Sequence, residues 1–124
     1  MKIKEFVRDV LGCTCPDKVF EQIENRRVQS TASPHTRTIT VGGRLLIYIW
    51  EPDADTDLQQ GLLSMLESGK KERDERGLNR FRAVLAVASP ADVSPLANQY
   101  FSRFEGKDNR MHIHVVSVNE LKDF

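Results

Sequence analysis

The sequence predicts a single α/β domain, and three observations support that prediction. Residues 44–50 form an almost continuously apolar run between Gly42-Gly43 and Pro52, rich in β-branched and aromatic types. A run of this kind is typical of a strand that is covered on both faces. Two further strand-like runs follow it, and amphipathic helical patterns separate the three. Strands that alternate with helices favour a parallel sheet built from two right-handed βαβ crossovers, in a three-layer type of domain.

Residues 1–24 have the pattern of two short helices joined by a turn. Apolar residues recur at helical spacing from Ile3 to Leu11, and a second apolar stripe runs to Ile23. Pro16 suits the first position of the second helix. The sequence thus predicts an N-terminal helical pair with a Cys-x-Cys-Pro turn, followed by a sheet with crossover helices over residues 26–124.

An antiparallel hairpin is predicted at the edge of that sheet. Residues 36–41 alternate polar with β-branched types, and Gly42-Gly43 is a dipeptide that closes two-residue turns. Residues 27–30 give a weaker strand signal before it.

The second half of the chain supplies the crossovers. A helix with a stripe from Leu58 to Leu66 precedes a strand over residues 80–88. The charged residues 70–76 fit a solvated helix end or loop. Ser94-Pro95 has the form of an N-cap and first helical position, which predicts the start of the second crossover helix. The last strand is predicted over residues 111–118.

Composition excludes several classes of function. The chain has 124 residues with 18 basic and 18 acidic side chains, so no net field attracts nucleic acid, and binding to nucleic acid is not expected. Neither a signal peptide nor an apolar stretch of about 20 residues occurs, which predicts no membrane partner and a cytoplasmic location. Two cysteines one residue apart do not form a disulfide framework.

The cysteine turn is the feature that an ordinary soluble domain does not need. As N-cap of the second predicted helix, Cys15 would face unpaired backbone N–H groups, which favour the thiolate. Cys13 would follow the carbonyl end of the first helix, where the dipole opposes ionisation. The pair could ligate a metal, or Cys15 could act as an attacking thiolate with Cys13 as its resolving partner. Simple packing of two small buried side chains is the third alternative.

Two histidines could complete a metal site. His112 and His114 lie two apart in a predicted strand, so they project from one face about 6.6 Å apart. With Cys13 and Cys15 they would make the Cys₂His₂ set that suits structural zinc. Alternatively, two protomers could each give a cysteine pair to one zinc or iron–sulfur cluster. His35, in a polar loop, is a weaker candidate.

The acidic loop after the apolar strand suggests a different site. Asp53-Ala54-Asp55-Thr56 resembles the Asp-x-Asp-x-Thr signature of haloacid dehalogenase-like phosphatases. The resemblance implies a nucleophilic Asp53, an acid/base Asp55 and bound Mg²⁺. It covers four residues, and capping of the next helix by acidic side chains is the favoured explanation of them.

Three functional hypotheses follow, in this order. The first is a small protein that binds zinc or iron, or exchanges thiols, through Cys13 and Cys15. The second is a non-enzymatic protein-interaction module with structural cysteines, which docks on itself or on a larger assembly through its sheet edge or its helical pair. The third is an enzyme acting near Asp53.

Overall fold

The computed structural model describes residues 23–27, 34–52 and 57–121. Within these ranges, five strands form one mixed sheet, against which two helices pack. The elements in chain order are β1 (Ile23–Arg27), β2 (Arg37–Val41), β3 (Leu45–Trp50), α1 (Leu58–Glu75), β4 (Arg80–Val87), α2 (Pro90–Arg103) and β5 (Met111–Ser117), with a 3₁₀ turn at Val118–Leu121. The predicted α/β class is confirmed.

The strands lie in the sheet in the same order as in the chain, β1-β2-β3-β4-β5. β1, β2 and β3 are antiparallel neighbours, whereas β3, β4 and β5 are parallel to one another. This order leaves β1 and β5 as the two edge strands among the described residues. The parallel half of the sheet brings the starts of β4 and β5 side by side, where Phe81 is opposite Met111.

The β2–β3 hairpin closes as the sequence predicts. Gly42 and Gly43 have φ angles of 61° and 65°, and Arg44 N–H donates to the Val41 carbonyl at 3.1 Å. Two consecutive positive φ angles define a type I′ turn, whose twist matches that of the strands it joins. Val41 lies opposite Leu45, so residues 42–44 form the loop, and this register places Tyr48 opposite Thr38.

The main core lies between one face of the sheet and both helices. Its members are Leu46, Tyr48, Trp50, Leu62, Met65, Leu66, Leu78, Phe81, Ala83, Leu85, Ala97, Phe104 and Met111. On the opposite face of the sheet, Ile39, Ile47, Ile49 and Val84 are also buried. All six residues of β3 are buried, which confirms the prediction that both faces of this strand are covered.

One glycine shows how closely α1 lies on the sheet. A Cβ atom at Gly69 would be 2.1 Å from Cζ of the Phe81 ring. The helix therefore continues through Gly69 to Glu75, where the glycine leaves room for the aromatic ring beneath it.

Two predicted boundaries are wrong. Ile23 and Glu24 belong to β1 and not to the second N-terminal helix, because they pair with Val41 and Thr40 of β2. The rest of the predicted helical pair lies outside the described residues. The helix predicted to begin at Pro95 begins at Pro90. Ser89-Pro90 places a proline at the first helical position, as Ser94-Pro95 was predicted to do, but the Ser89 side chain makes no capping hydrogen bond.

Among the described residues, neither helix is long and apolar enough to cross a membrane.

Candidate functional site

The two predicted histidine ligands lie on β5, on the sheet face opposite the helices. His112 is exposed and His114 is half-buried. The register places His112 opposite Arg82 and His114 opposite Val84 of β4. Both imidazoles lie on one face of the strand, as their spacing predicts, and arginines of β4 lie beside them.

The arginine beside them determines the chemistry of this pair. Arg82 Nη1 lies 2.7 Å from His114 Nε2. A guanidinium only donates hydrogen bonds, so Nε2 accepts and the imidazole proton is on Nδ1. Burial, then the charge of Arg82, lowers the pKa of His114 to about 4, and burial with Arg82 and Arg80 lowers that of His112. A metal cation at His114 would have to displace Arg82 and lie beside guanidinium charge, so the arrangement fits an anion better.

The other predicted site residues cannot be placed beside these histidines. Cys13 and Cys15 lie outside the described residues, as do Asp53 and Asp55. Within the described ranges, no three His, Cys, Asp or Glu side chains come together as metal ligands would. The zinc, iron–sulfur and thiol functions remain predictions from the sequence. Helix capping in this region is supported at Asp57, whose Oδ1 accepts from Gln60 N–H at 3.1 Å.

The edge of β5 is a second candidate site. Phe81 N–H donates to the Arg110 carbonyl at 3.0 Å, which fixes which β5 residues face β4. In a parallel ladder the backbone N–H and C=O groups of successive residues point alternately toward and away from the neighbouring strand. The backbone groups of His112, His114 and Val116 therefore face β4. Those of Ile113 and Val115 face away from the sheet, and no described strand lies there.

The two sheet edges differ in composition. β1 carries exposed charged residues at Glu24 and Arg26, the kind of residue that discourages pairing of an edge strand with another chain. β5 has seven residues and contains neither lysine nor proline. Its Ile113 and Val115 side chains are half-buried, packed against the main core with part of their surface in solvent. Among the described strands, β5 is the edge that lacks such protection.

A buried polar cluster that sequence reasoning missed joins α1 to the antiparallel strands. The rings of His35 and Tyr48 stack at 3.6 Å, and His35 Nε2 lies 3.2 Å from Thr38 Oγ1. Tyr48 Oη donates to Glu72 Oε1 at 2.5 Å, and Glu72 Oε2 accepts from Arg76 at 2.7 Å. Burial lowers the pKa of His35 to about 4, and burial with the Glu72 bond raises that of Tyr48. Each group is tied to a neighbour, which gives the cluster a structural role.

A buried arginine fixes the loop that leads into β5. Arg73 is 1% exposed, and its Nη1 and Nη2 donate to the two oxygens of Asp108 at 3.0 and 2.6 Å. Asp108 also accepts from Arg110 N–H, and its own carbonyl accepts from Met111 N–H at 3.3 Å. The Arg73 bond lowers the pKa of Asp108 to about 2. The charged run of residues 70–76 therefore contains a buried anchor, where the sequence predicted a solvated segment.

The described residues also form a groove of about 550 Å³ between α1 and the end of α2. It is lined by Leu63, Glu67, Lys70, Lys71, Asp74, Arg103, Phe104, Glu105 and Gly106. Acidic and basic side chains are mixed along its walls, and Lys70 Nζ already donates to the Gly106 carbonyl at 2.7 Å. The groove favours no ligand class over another.

Comparison with known proteins gave no match, whether with protein-family models, with curated proteins or with solved structures.

Proposed function

We propose that this chain is a protein-interaction module of a larger assembly, which binds its partner by adding a strand to the edge of β5. The observation that supports the proposal most strongly is the outward-facing backbone of Ile113 and Val115 in an edge strand without protective residues. An extended segment beside this edge would pair with both N–H and C=O groups, as in β-strand addition.

The side chains of the same two residues favour the same interaction. Ile113 and Val115 are half-buried on the helix face of the sheet, next to the main core. A partner strand would cover their remaining apolar surface while it pairs with their backbone. Burial of apolar surface contributes about 25 cal/mol per Å², so this contact adds affinity that backbone pairing alone does not supply.

The anchored loop before β5 supports a docking role for the edge. Arg73 holds Asp108, and Asp108 accepts hydrogen bonds from the backbone of Arg110 and Met111. The start of β5 is therefore fixed before any partner arrives, and a preorganised edge loses less conformational entropy on binding.

A pair of substitutions at one position tests the proposal. Val115→Pro removes the outward N–H without touching the ladder to β4 and keeps a side chain of three carbons, whereas Val115→Ala keeps that N–H and removes two methyl groups. Proteins retained by the wild-type chain in extracts of its native cells should also be retained by Val115→Ala, and lost with Val115→Pro. Ser117→Pro removes the next outward N–H and serves if Val115→Pro does not fold.

The comparison requires that each variant be folded, which thermal unfolding by circular dichroism checks. A partner that binds folded Val115→Pro as tightly as wild type would contradict strand addition at β5. Loss of the partner with Val115→Ala as well would show that side-chain packing, and not backbone pairing, carries the interaction.

A further inference from the structure

The charged or titratable side chains around β5, on the face opposite the helices, are all of basic type in the part of the chain that the structure describes. His112 and His114 lie on β5, Arg80 and Arg82 lie beside them on β4, and Arg110 immediately precedes β5. Arg80, Arg110 and His112 are exposed. An incoming strand would therefore meet positive charge along one of its two faces.

The nearby carboxylate does not cancel this charge. Asp108 lies close enough to Arg110 to be affected by its charge, but it gives both oxygens to the buried Arg73. The lowered pKa of His112, due to burial and then to Arg82 and Arg80, shows the same field acting on a neighbouring group. An anionic side chain near Arg110 and His112 would be attracted, and protonation of the imidazole would become easier.

The spacing of a sheet defines which residues of a partner would meet these groups. Neighbouring strands lie about 4.8 Å apart, and side chains on one face recur every second residue. A strand added to β5 would place alternate side chains directly beside Arg110, His112 and His114. The exposed Arg80 would be one strand further, within reach of a glutamate side chain.

We infer that the partner of β5 is an extended acidic segment of a protein, with Glu or Asp at alternate positions on the face that meets Arg110 and His112. This inference rests on the proposed docking of a strand at β5 and specifies its partner. Opposite charges across neighbouring strands stabilise pairing. The alternate positions on the other face of the partner would be apolar, because they meet Ile113 and Val115.

Nucleic acid is the other polyanion that such a surface could attract. Its backbone phosphates accept hydrogen bonds but do not donate them, whereas the β5 edge presents both N–H and C=O groups. On this face the neighbouring side chains of β4 and β5 include no Phe, Tyr or Trp ring on which a base could stack. An acidic protein strand can pair its carboxylates with the basic side chains and its backbone N–H and C=O groups with those of the β5 edge.

Three synthetic peptides test the inference with the full chain. Each alternates valine with one other residue, which is glutamate, glutamine or lysine. Binding is followed by NMR, through the amide signals of Ile113 and Val115, with peptide up to millimolar concentration. The glutamate peptide should bind about tenfold more tightly than the glutamine peptide, and the lysine peptide more weakly than both. The advantage of glutamate should shrink at 300 mM salt, since exposed charges are screened.

Substitutions identify the side chains that cause the preference for the glutamate peptide. Arg110→Gln and His112→Gln should each reduce the preference for glutamate several-fold. Arg103→Gln removes an exposed arginine from α2 and should leave that preference unchanged. Val115→Pro should abolish binding of all three peptides.

The outcomes separate the inference from the proposed function. Equal binding of the glutamate and glutamine peptides, lost in Val115→Pro, would overturn the acidic partner and leave docking at β5 standing. Failure of all three peptides to move the Ile113 and Val115 signals would overturn both. A single-stranded DNA oligonucleotide that binds wild type and Val115→Pro equally would assign the basic side chains to nucleic acid and overturn the inference.

Discussion

Replacement of Arg73 by methionine should loosen the loop that holds β5, at a cost that the geometry allows us to work out. Arg73 has a side chain that is 2% exposed and donates to both oxygens of Asp108, and to Asp74 at 3.0 Å. Methionine fills a similar volume without the guanidinium. The substitution therefore tests the ion pair more than the packing.

The expected loss of folding free energy can be worked out from the pKa of Asp108. Its pKa falls from 3.8 to about 2 in the folded chain, mainly through the Arg73 bond. A shift of nearly two units corresponds to roughly 2.5 kcal/mol. Because the Asp108 side chain is 32% exposed, solvent screening reduces that value, and we expect a coupling of about 1 to 2 kcal/mol between Arg73 and Asp108. The pair contributes fully above pH 3.8, and its contribution is lost as the pH falls through about 2.

A double-mutant cycle with Arg73→Met and Asp108→Asn, read by urea unfolding at pH 7, measures this coupling. Asp74 is the matched control: it contacts the same guanidinium, but its side chain is 55% exposed. Asp74→Asn should cost less than about 0.5 kcal/mol. A coupling near zero, or an Asp74→Asn variant as unstable as Asp108→Asn, would refute the assignment of Arg73–Asp108 as the anchor of the β5 loop.

Three further predictions concern other parts of the chain. Gly69→Ala should destabilise the fold by about 1 to 3 kcal/mol in urea unfolding, because its Cβ would overlap the Phe81 ring, and an unchanged or raised stability would contradict that packing. Between pH 8 and pH 5 the wild-type chain should lose about 2 kcal/mol through His35, because its pKa of about 4 lies below its ordinary 6.5, so that its contribution to stability is full above pH 6.5 and falls toward pH 4. His114, whose pKa is also about 4, adds a loss of its own, so His35→Phe, which keeps a ring against Tyr48, should reduce the slope by the His35 share and leave the His114 share. If Cys13 and Cys15 are metal ligands, elemental analysis of anaerobically purified protein should find zinc or iron. Replacement of both cysteines by serine should remove the metal or abolish thiol exchange. Equal metal content and equal thiol exchange in the wild type and this double variant would refute the cysteine hypothesis.

The parts of the fold that the sequence predicts well are those where local chemistry and packing agree. The apolar runs of β3 and β4 are buried on both sides, so nearly every position is apolar and the strands are evident. Gly42-Gly43 permits the two positive φ angles of its turn, which other residues rarely adopt. Asp57 caps α1 through its own side chain, a contact within three residues.

The errors arise where distant pairing decides the structure. Ile23 continues an apolar stripe at helical spacing, but its pairing with Val41 places it in a strand, and that partner is 18 residues away. Ser89-Pro90 and Ser94-Pro95 carry the same helix-start signal, and the choice between them depends on how α2 packs on β5. Gly69 could end a helix or permit a close approach, and the Phe81 ring determines which.

In the candidate sites, too, features set by nearby residues could be predicted and features set by distant pairing could not. That His112 and His114 share a strand face follows from their spacing, but the contact of His114 with Arg82 depends on the register between β4 and β5. His35 stands beside a proline among polar residues, and its burial against Tyr48 could not be anticipated from that context. The free edge of β5 became recognisable only once the strand order was known.

Amide hydrogen exchange along β5 tests the central claim most directly, because it needs no partner. If the edge is open, the amides of Ile113 and Val115 exchange much faster than those of His112, His114 and Val116, which donate to β4. Alternating fast and slow exchange along the strand is the result that we predict. Uniform protection of all five amides would show that the edge of β5 is already paired, and would contradict the proposal that it is the docking site.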